Sequence, residues 1–280
     1  MKVGIFTNLH KDRELSVTRK LISALRCEEI DYVLDEGLIG ICEGQFFSCE
    51  KKLNMDFMLT VGGDGTILRV AKKCAKNNVP IVGINLGHTG FLAEEEPSNI
   101  ANLLRLLKEK KYYLDKRTLI SATINDKTFL ALNDVVISRA NGSRMLETDV
   151  SVNDEFVDRY FCDGYIVSTP TGSTAYSLSA GGAILSPTVD ALILTSINSH
   201  SLHSRPIVVP NSDQIILKVS NENKADLIID GVCVERVGGE KIIIKKAKET
   251  AKFVRFYGQT FYEKLLTKLN KWSVTSEGNK

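Results

Sequence analysis

This chain of 280 residues lacks the sequence features that mark zinc centres, membrane proteins and secreted proteins. Its six cysteines form no Cys-x-x-Cys pair, and its four histidines form no His-Glu-x-x-His motif. These absences argue against a zinc site and fit reduced thiols in a cytoplasm. No apolar run reaches the roughly 20 residues of a membrane span, and the first residues lack the apolar core and cleavage site of a signal peptide. We therefore expect a cytoplasmic protein that has no membrane partner.

The chain also has little excess charge and no internal repeat or low-complexity tract. Its formal net charge of +2 implies no strong field that would attract nucleic acid, so we expect no nucleic-acid partner. A hydrophobic content of 43% and a charged content of 25% are ordinary for a globular protein with a sizeable core. The length suits one large or two medium domains.

The first 115 residues alternate apolar runs with amphipathic segments. This alternation predicts parallel βαβ units and hence an α/β, Rossmann-like N-terminal domain over residues 1–115. Residues 36–50 show no clear period and are predicted to be loop or irregular helix. Strands are predicted at 2–7, 32–34, 55–61 and 80–85, and helices over 15–25, 64–76 and 98–111.

After residue 115, short alternating segments and turn pairs predict a largely antiparallel β-rich domain over 116–258. Residues 259–280 are predicted to form a closing amphipathic helix with a frayed tail, which we expect to pack back on the N-terminal domain. Predicted strands lie at 118–124, 128–138, 164–168, 191–197, 214–219, 226–229, 241–245 and 252–256, with a hairpin over 150–157 and turns at Asn141-Gly142 and Asp230-Gly231.

A glycine-rich turn, Gly62-Gly63-Asp64-Gly65-Thr66, joins the apolar strand 55–61 to an amphipathic helix. Glycine allows positive φ and close approach of a ligand, and free N–H groups at a helix start suit phosphate oxygens. A carboxylate beside phosphate is unfavourable because the two negative charges repel each other, so we expect it to have a function. Asp64 could act as a general base or as a ligand of phosphate-bound Mg²⁺. The alternative is a tight turn in which Asp64 is the helix N-cap.

A second glycine-bearing turn, 85–92, follows the strand at 80–85. The carboxyl ends of parallel strands form the ligand-binding edge of such sheets, so both glycine turns are predicted to line one crevice. From the pattern alone, Phe91 is more readily a core aromatic that covers the sheet edge, and His88 a turn residue.

Residues 168–182 form a run in which thirteen of the fifteen positions are Gly, Ala, Ser, Thr or Pro. Little side-chain bulk remains, so we expect backbone amides and hydroxyls to face outward, as a polyhydroxylated or phosphorylated ligand requires. Tyr176 is the exception and could pack against a base or ribose. The alternative is a small-residue turn that permits tight helix–strand packing.

Asn133-Asp134 interrupts the apolar strand predicted at 128–138. Asn can pair with an adenine edge and Asp can accept from ribose hydroxyls, but a bulge or surface turn explains the pair equally well. Arg144 could contact a phosphate or be a solvated charge.

Taken together, these motifs resemble the NAD kinase family. The resemblance is carried by Gly62–Thr66, Asn133-Asp134, Asp163-Gly164, the run Ser168-Thr169-Pro170-Thr171-Gly172-Ser173-Thr174-Ala175-Tyr176, and Asn198-Ser199-His200-Ser201-Leu202 with Arg205-Pro206. Gly-Gly-Asp-Gly also occurs in phosphofructokinases and lipid kinases, whereas the Thr-Pro-Thr-Gly-Ser-Thr-Ala-Tyr run is much more specific. Their order and spacing agree across essentially the whole chain.

The resemblance implies transfer of the γ-phosphoryl group of ATP, or alternatively of polyphosphate, to the 2′-hydroxyl of the adenosine ribose of NAD. It implies a divalent metal, usually Mg²⁺, a homodimer or homotetramer, and NAD bound between the two domains. Asp64 would be the catalytic base, and Arg144 and Asp163 would reach NAD, either within one chain or from a neighbouring subunit. The candidate nucleotide-binding residues are Gly62, Gly63, Gly65, Thr66, Phe91, Asn133, Asp134, Arg144, Asp163, Thr174, Ala175, Tyr176, Ser177, Leu178 and Ser179.

The chain departs from the family pattern at two positions, because Asp134 stands where Glu is common and Val232 where many members have Gln. Two rival functions remain. A lipid kinase with the same Gly-Gly-Asp-Gly chemistry would want an apolar or membrane-binding face, and no basic amphipathic surface helix is evident. A non-catalytic dinucleotide sensor would gain nothing from Asp64 beside phosphate.

Overall fold

The computed structural model describes residues 1–87, 90–140, 144–221, 224–256 and 260–274, with side chains described as far as Thr267. By its internal contacts the chain divides into two compact units, Met1–Lys116 with Ala251–Lys280, and Arg117–Thr250. The domain limits predicted at 115/116 and 258/259 stay a prediction. His88, the predicted turn Asn141-Gly142 and the tail 275–280 lie outside the described residues.

The first unit is built on a parallel sheet. Its strands are β1 (Lys2–Thr7), β2 (Asp31–Asp35), β3 (Phe46–Phe47), β4 (Phe57–Gly62) and β5 (Ile81–Asn85). They lie in the order β3-β2-β1-β4-β5, and the connection reverses direction between β1 and β4. In open α/β sheets, ligands bind outside the carboxyl ends of the strands at this reversal. The parallel α/β fold predicted for this part of the chain is confirmed.

Three helices cover this sheet, namely α1 (Ser16–Cys27), α2 (Asp64–Lys76) and α3 (Ile100–Lys108). Each buries one apolar face because its hydrophobic residues recur at helical spacing, as Ile67, Val70, Ala71 and Cys74 do in α2. All six residues of β4 are buried, as expected for a central strand covered on both faces. The glycine turn therefore starts from a rigid strand and ends in a rigid helix.

The second unit is β-rich. The strands after the first unit's sheet are β6 (Tyr113–Ile124), β7 (Lys127–Ala131), β8 (Asp134–Arg139), β9 (Leu146–Val152), β10 (Glu155–Cys162), β11 (Gly164–Ser168), β12 (Ala191–Ile197), β13 (Ile207–Pro210), β14 (Ile215–Val219), β15 (Ala225–Ile229), β16 (Val232–Val237) and β17 (Lys241–Arg255). Six of them form an antiparallel sheet in the order β13-β12-β11-β8-β15-β16. Strands β10-β9-β14-β17 pair side by side in antiparallel fashion.

One hydrophobic core joins both sets of strands in the second unit. Ile137 and Val167 from the six-stranded sheet belong to the same buried cluster as Val150 and Leu217 from the other strands. This arrangement confirms the β-rich second half. A short helix, α4 (Tyr176–Ser179), follows β11, and the final helix α5 (Phe261–Val274) belongs to the first unit.

Several predicted elements differ from the structure. The strand predicted at 128–138 is two strands, since β7 ends at Ala131 and β8 begins at Asp134. Conversely, the strands predicted at 241–245 and 252–256 are one continuous strand, β17. Strand β13 was missed because Pro206 precedes it and Pro210 ends it, and proline is tolerated at the edge of a sheet, where β13 lies. None of the helices in the described residues is long and apolar enough to cross a membrane.

Candidate active site

The glycine turn joins β4 to α2 at the carboxyl end of the parallel sheet. Gly63 is the N-cap of α2 and Asp64 is its first residue, so the alternative in which Asp64 is the N-cap is wrong. A β-carbon at Gly62 would lie 2.1 Å from Thr66 Oγ1, which explains why glycine is needed there. The turn thus depends on glycine to bring strand and helix close together.

Thr66 fixes the turn from inside the unit. Its buried Oγ1 accepts the Gly63 N–H at 3.2 Å and the Asn8 Nδ2–H at 3.1 Å. Asn8 follows β1, and its own N–H donates to the carbonyl oxygen of Val61 at 2.9 Å. Sequence reasoning missed Asn8, although a polar residue directly after β1 at the strand-order reversal was the available signal.

The carboxylate of Asp64 accepts hydrogen bonds from the turn that follows β5. The Phe91 N–H donates to Oδ2 at 2.8 Å, and the Leu92 and Ala93 N–H groups donate to Oδ1 at 3.1 and 3.0 Å. A β-carbon at Gly90 would lie only 1.9 Å from Oδ1, so the backbone can wrap closely around the carboxylate. Three amide donors hold this half-buried side chain in one orientation.

An unpredicted lysine lies against the same turn. A β-carbon built on Gly63 would come within 2.9 Å of Lys11 Nζ, and this ammonium has no ion-pair partner in the described part of the chain. Gly65 faces open space, with nothing within 4 Å of a β-carbon built on it. A cation, a helix N-terminus and open space together suit a bound phosphate.

Phe91 is half-buried, and its ring lies 6.0 Å from the ring of Phe261 on α5. Its side chain therefore packs within the first unit, while its backbone N–H holds Asp64. A contact of this ring with a nucleotide stays a prediction.

In the second unit, Asn133 and Asp134 follow a sharp bend that Asp230 organises. The Asp230 carboxylate accepts the backbone N–H groups of Leu132, Asn133 and Asp134 at 3.1, 2.8 and 3.3 Å. The Asn133 carbonyl oxygen accepts from the Thr169 N–H at 2.9 Å. The two polar residues therefore mark a break between β7 and β8, and the turn residue Asp230 is part of the same arrangement.

The two residues differ in exposure. Asn133 is half-exposed, whereas only 4% of Asp134 is accessible. Burial, together with the negative charge of Asp230, raises the pKa of the Asp134 carboxyl to about 7. At neutral pH this carboxyl can therefore be a hydrogen-bond donor as well as an acceptor.

The hydroxyls of the small-residue run do not face outward as predicted. Ser168, Thr169 and Ser173 are fully buried and donate to backbone carbonyl oxygens, Thr169 to that of Leu132 at 2.6 Å and Ser173 to that of Pro170 at 2.7 Å. These bonds are needed because a tight turn leaves buried carbonyls without strand partners. The expectation of an outward hydroxyl surface was wrong at these positions.

The later part of the run offers more surface. Tyr176 is 46% exposed and Ser179 is also exposed, while Thr174, Ala175 and Leu178 are half-buried. Ser177 is fully buried, with its Oγ 3.4 Å from Thr195 Oγ1. Its hydroxyl thus belongs to the interior of the unit.

Asp163 lies just before β11 and is already engaged. Its Oδ2 accepts from Asn198 Nδ2 at 3.0 Å, and its Oδ1 is 3.3 Å from Arg139 Nε. Arg144 is exposed. The Asn198–Pro206 stretch borders an open cavity of about 420 Å³, lined also by Ala180, Thr195 and Ser196.

No group of three or more His, Cys, Asp or Glu side chains that could hold a metal ion occurs in the ranges that the structure describes.

Family models cover most of the chain. Residues 3–112 match the ATP-NAD kinase N-terminal domain and residues 132–256 match the ATP-NAD kinase C-terminal domain. An NAD kinase of Caldanaerobacter subterraneus subsp. tengcongensis is 41% identical over 96% of this chain and 99% of its own length. One from Methanothermobacter thermautotrophicus is 35% identical over 99% of both chains. The chain belongs to the NAD kinase family.

Solved structures agree with this assignment. An NAD kinase from Archaeoglobus fulgidus in complex with ATP shares 29% identity, with a TM-score of 0.72 over 92% of this chain and 94% of that one. Yeast NADH kinase complexed with NADH has a TM-score of 0.84 over 96% of this chain and 87% of that one. At 24% identity, the yeast enzyme supports the fold alone.

Proposed function

We propose that the chain transfers the γ-phosphoryl group of ATP to the 2′-hydroxyl of the adenosine ribose of NAD, giving NADP. The observation that carries this proposal, beside family membership, is the Asp64 carboxylate held by three backbone N–H groups at the glycine turn. A side chain fixed in this way can meet a hydroxyl in a defined direction, as a general base must.

In this mechanism the ribose hydroxyl attacks the γ-phosphorus and gives its proton to Asp64 as the new O–P bond forms. The bond from the γ-phosphorus to the β,γ-bridging oxygen breaks, and ADP leaves. Transfer of this kind depends mainly on positioning and on stabilisation of the phosphoryl charge. Lys11 and the N-terminus of α2 would supply that stabilisation from this chain.

The adenosine of NAD would be recognised by the second unit. The half-exposed Asn133 amide can pair with an adenine edge, Asp134 can bond a ribose hydroxyl, and the exposed ring of Tyr176 offers a stacking surface. The other predicted contacts, Arg144, Asp163 and residues 174–179 apart from the buried Ser177 hydroxyl, belong to the same proposal.

A divalent metal, with Mg²⁺ the predicted ion, would neutralise phosphate charge and be held chiefly by the triphosphate. The homodimer or homotetramer and the cytoplasmic location remain predictions from sequence. Polyphosphate as an alternative donor also stays open.

The proposal is tested by incubating the purified protein with NAD, Mg²⁺ and either ATP or polyphosphate, and by reading NADP with an NADP-specific dehydrogenase. NADP formation identifies the reaction and the donor. Binding of NAD without turnover would favour the sensor, and phosphorylation of diacylglycerol or sphingosine in place of NAD would favour the lipid kinase.

Asp64→Asn should lower kcat by about 10²–10⁴-fold, the usual contribution of a general base. The same change replaces one acceptor oxygen by an NH2 group, which cannot accept a backbone N–H, so thermal melting must be measured in parallel. A folded variant with near wild-type turnover would remove Asp64 from the role of base.

A further inference from the structure

The turn that holds Asp64 is itself held by a buried arginine. Arg255, at the end of β17, is only 4% exposed. Its Nη1 donates to the carbonyl oxygen of Leu92 at 2.8 Å, and its Nη2 lies 3.5 Å from the carbonyl oxygen of Phe91. The N–H groups of these two residues point the other way and donate to Asp64. Arg255 and Asp64 therefore grip opposite sides of the same backbone.

Two carboxylates fix the guanidinium in turn. Glu94 Oε1 lies 2.7 Å from Arg255 Nη1, and Asp115 Oδ2 accepts from Arg255 Nε at 3.2 Å. Both carboxylates are less than one-fifth exposed, at 18% and 19%. The planar fork of arginine can satisfy carbonyl and carboxylate partners at once, whereas a lysine ammonium is a single point of charge.

The last helix adds a second tie to this turn. Lys264 on α5 forms an ion pair with the same Glu94 oxygen, and the Phe261 ring packs near the Phe91 ring. The segment after residue 251 is thus joined to the catalytic turn by charge and by aromatic packing. All of these contacts lie within the first unit.

We propose that Arg255 is a positioning residue for catalysis, which sets the direction of the Asp64 carboxylate through the backbone of residues 91–93. This proposal rests on the role of Asp64 given above. Arg255 is only 4% exposed, so its contribution passes through Asp64 and not through contact with NAD or ATP. Displacement of the base should lower the reaction rate steeply, because a misplacement of about 1 Å in a reacting group lowers the rate about 100-fold.

The first test is Arg255→Lys, which keeps the positive charge for Glu94 and Asp115 but loses the fork. We expect kcat to fall about 100-fold while KM for NAD stays within about threefold, since the substrate contacts are not altered. Arg159→Lys is the matched control. Arg159, on β10, also forms ion pairs with two carboxylates, Asp149 at 2.6 Å and Glu147 at 3.1 Å, both on β9. The control should keep kcat within about twofold, as expected for a half-exposed ion pair.

The deciding measurement repeats Arg255→Lys in the Asp64→Asn background. If Arg255 acts through Asp64, the second change should lower the residual kcat by less than about threefold, since the two effects are not additive. An equal loss in both backgrounds, or no loss in the wild type, would overturn the proposal. If Arg255→Lys does not fold, Glu94→Gln, which keeps an acceptor oxygen, takes its place in the wild-type and Asp64→Asn backgrounds.

A readout independent of turnover separates this proposal from the proposed function. Amide hydrogen exchange in a peptide over 90–96 should quicken in Arg255→Lys, while exchange in β1 and β4 stays unchanged. Wild-type protein that makes no NADP would refute the proposed function, whereas unchanged exchange at 90–96 would refute the grip of Arg255 on this turn.

Discussion

Asp230 accepts the backbone N–H of Asn133 at 2.8 Å, although 97 positions separate the two residues in the chain. This bond makes the β15–β16 turn a support for the bend between β7 and β8. Because Asn133 and Asp134 are the proposed adenosine contacts, the shape of that part of the site depends on the Asp230 carboxylate.

Replacing Asp230 by alanine should destabilise the protein. The change leaves the N–H groups of residues 132–134 without their acceptor, and an unsatisfied buried donor costs about 1–3 kcal/mol. Urea unfolding measures the loss. Asp154→Ala is the control because Asp154 also occupies a hairpin turn at positive φ, 67° against 48° for Asp230. Equal losses in both variants would mean that backbone strain, and not the N–H groups, dominates.

The contribution of Asp134 to the free energy of unfolding should fall as pH rises from about 4 to about 7. The unfolded carboxyl has its ordinary value of 3.8 and the folded one a pKa of about 7. Between these values the unfolded chain has lost a proton that the folded chain keeps, so stability decreases with pH and levels off above 7. Asp134→Asn removes this titration. Between pH 5 and pH 7.5 we expect wild type to lose roughly 2–3 kcal/mol relative to the variant in urea unfolding. A difference that does not vary with pH would contradict the raised pKa.

Gly65→Ala should separate stability from activity. The position lies in the first turn of α2 and a β-carbon there meets only open space. Alanine in a helix is more stable than glycine by about 0.5–1 kcal/mol, so Tm should not decrease. If a nucleotide occupies that space, kcat/KM should fall about tenfold or more, because the methyl group lies where phosphate or ribose must approach. Unchanged kinetics would place the nucleotide elsewhere.

Ser177→Ala and Tyr176→Ala should differ in their effect on KM for NAD. The Ser177 hydroxyl is fully buried, so its loss should leave KM for NAD within about twofold. Tyr176 is 46% exposed, and loss of a stacking aromatic should raise KM about 5–100-fold. Steady-state kinetics with NAD as the varied substrate measures both KM values. A large effect of Ser177→Ala with a small effect of Tyr176→Ala would contradict the proposed contact surface.

Much of the first unit could be predicted from the sequence because its signals are local. The apolar run before Gly62 and the helical spacing after Thr66 define a strand, a turn and a helix without any knowledge of the rest of the chain. The place of Asp64 at the carboxyl end of a parallel strand followed from the same reasoning. The grip of residues 91–93 on its carboxylate could not be predicted, because backbone N–H groups carry no sequence signature.

The second unit shows why residue type alone misleads. Serine and threonine in the 168–182 run suggested an open hydroxyl surface, yet Ser168, Thr169 and Ser173 satisfy buried carbonyls. A hydroxyl serves equally well as a ligand contact and as an internal donor, and only the folded backbone decides which. Lys11 and Asp230 were likewise missed or read as turn residues, since their partners are distant in sequence.

The first unit is made from two separated stretches of chain, and this has a consequence for the order in which the protein is synthesised. A nascent chain that has emerged as far as Thr250 already carries Asp64 and the turn that surrounds it, but it lacks Phe253, which pairs with Ile81 in β5, and Arg255. Such a chain lacks the part of β17 that pairs in parallel with β5. We therefore expect that products of premature termination between Thr250 and Arg255 can fold their β-rich unit and still be inactive. Full catalytic competence would then arise only in the last moments of translation.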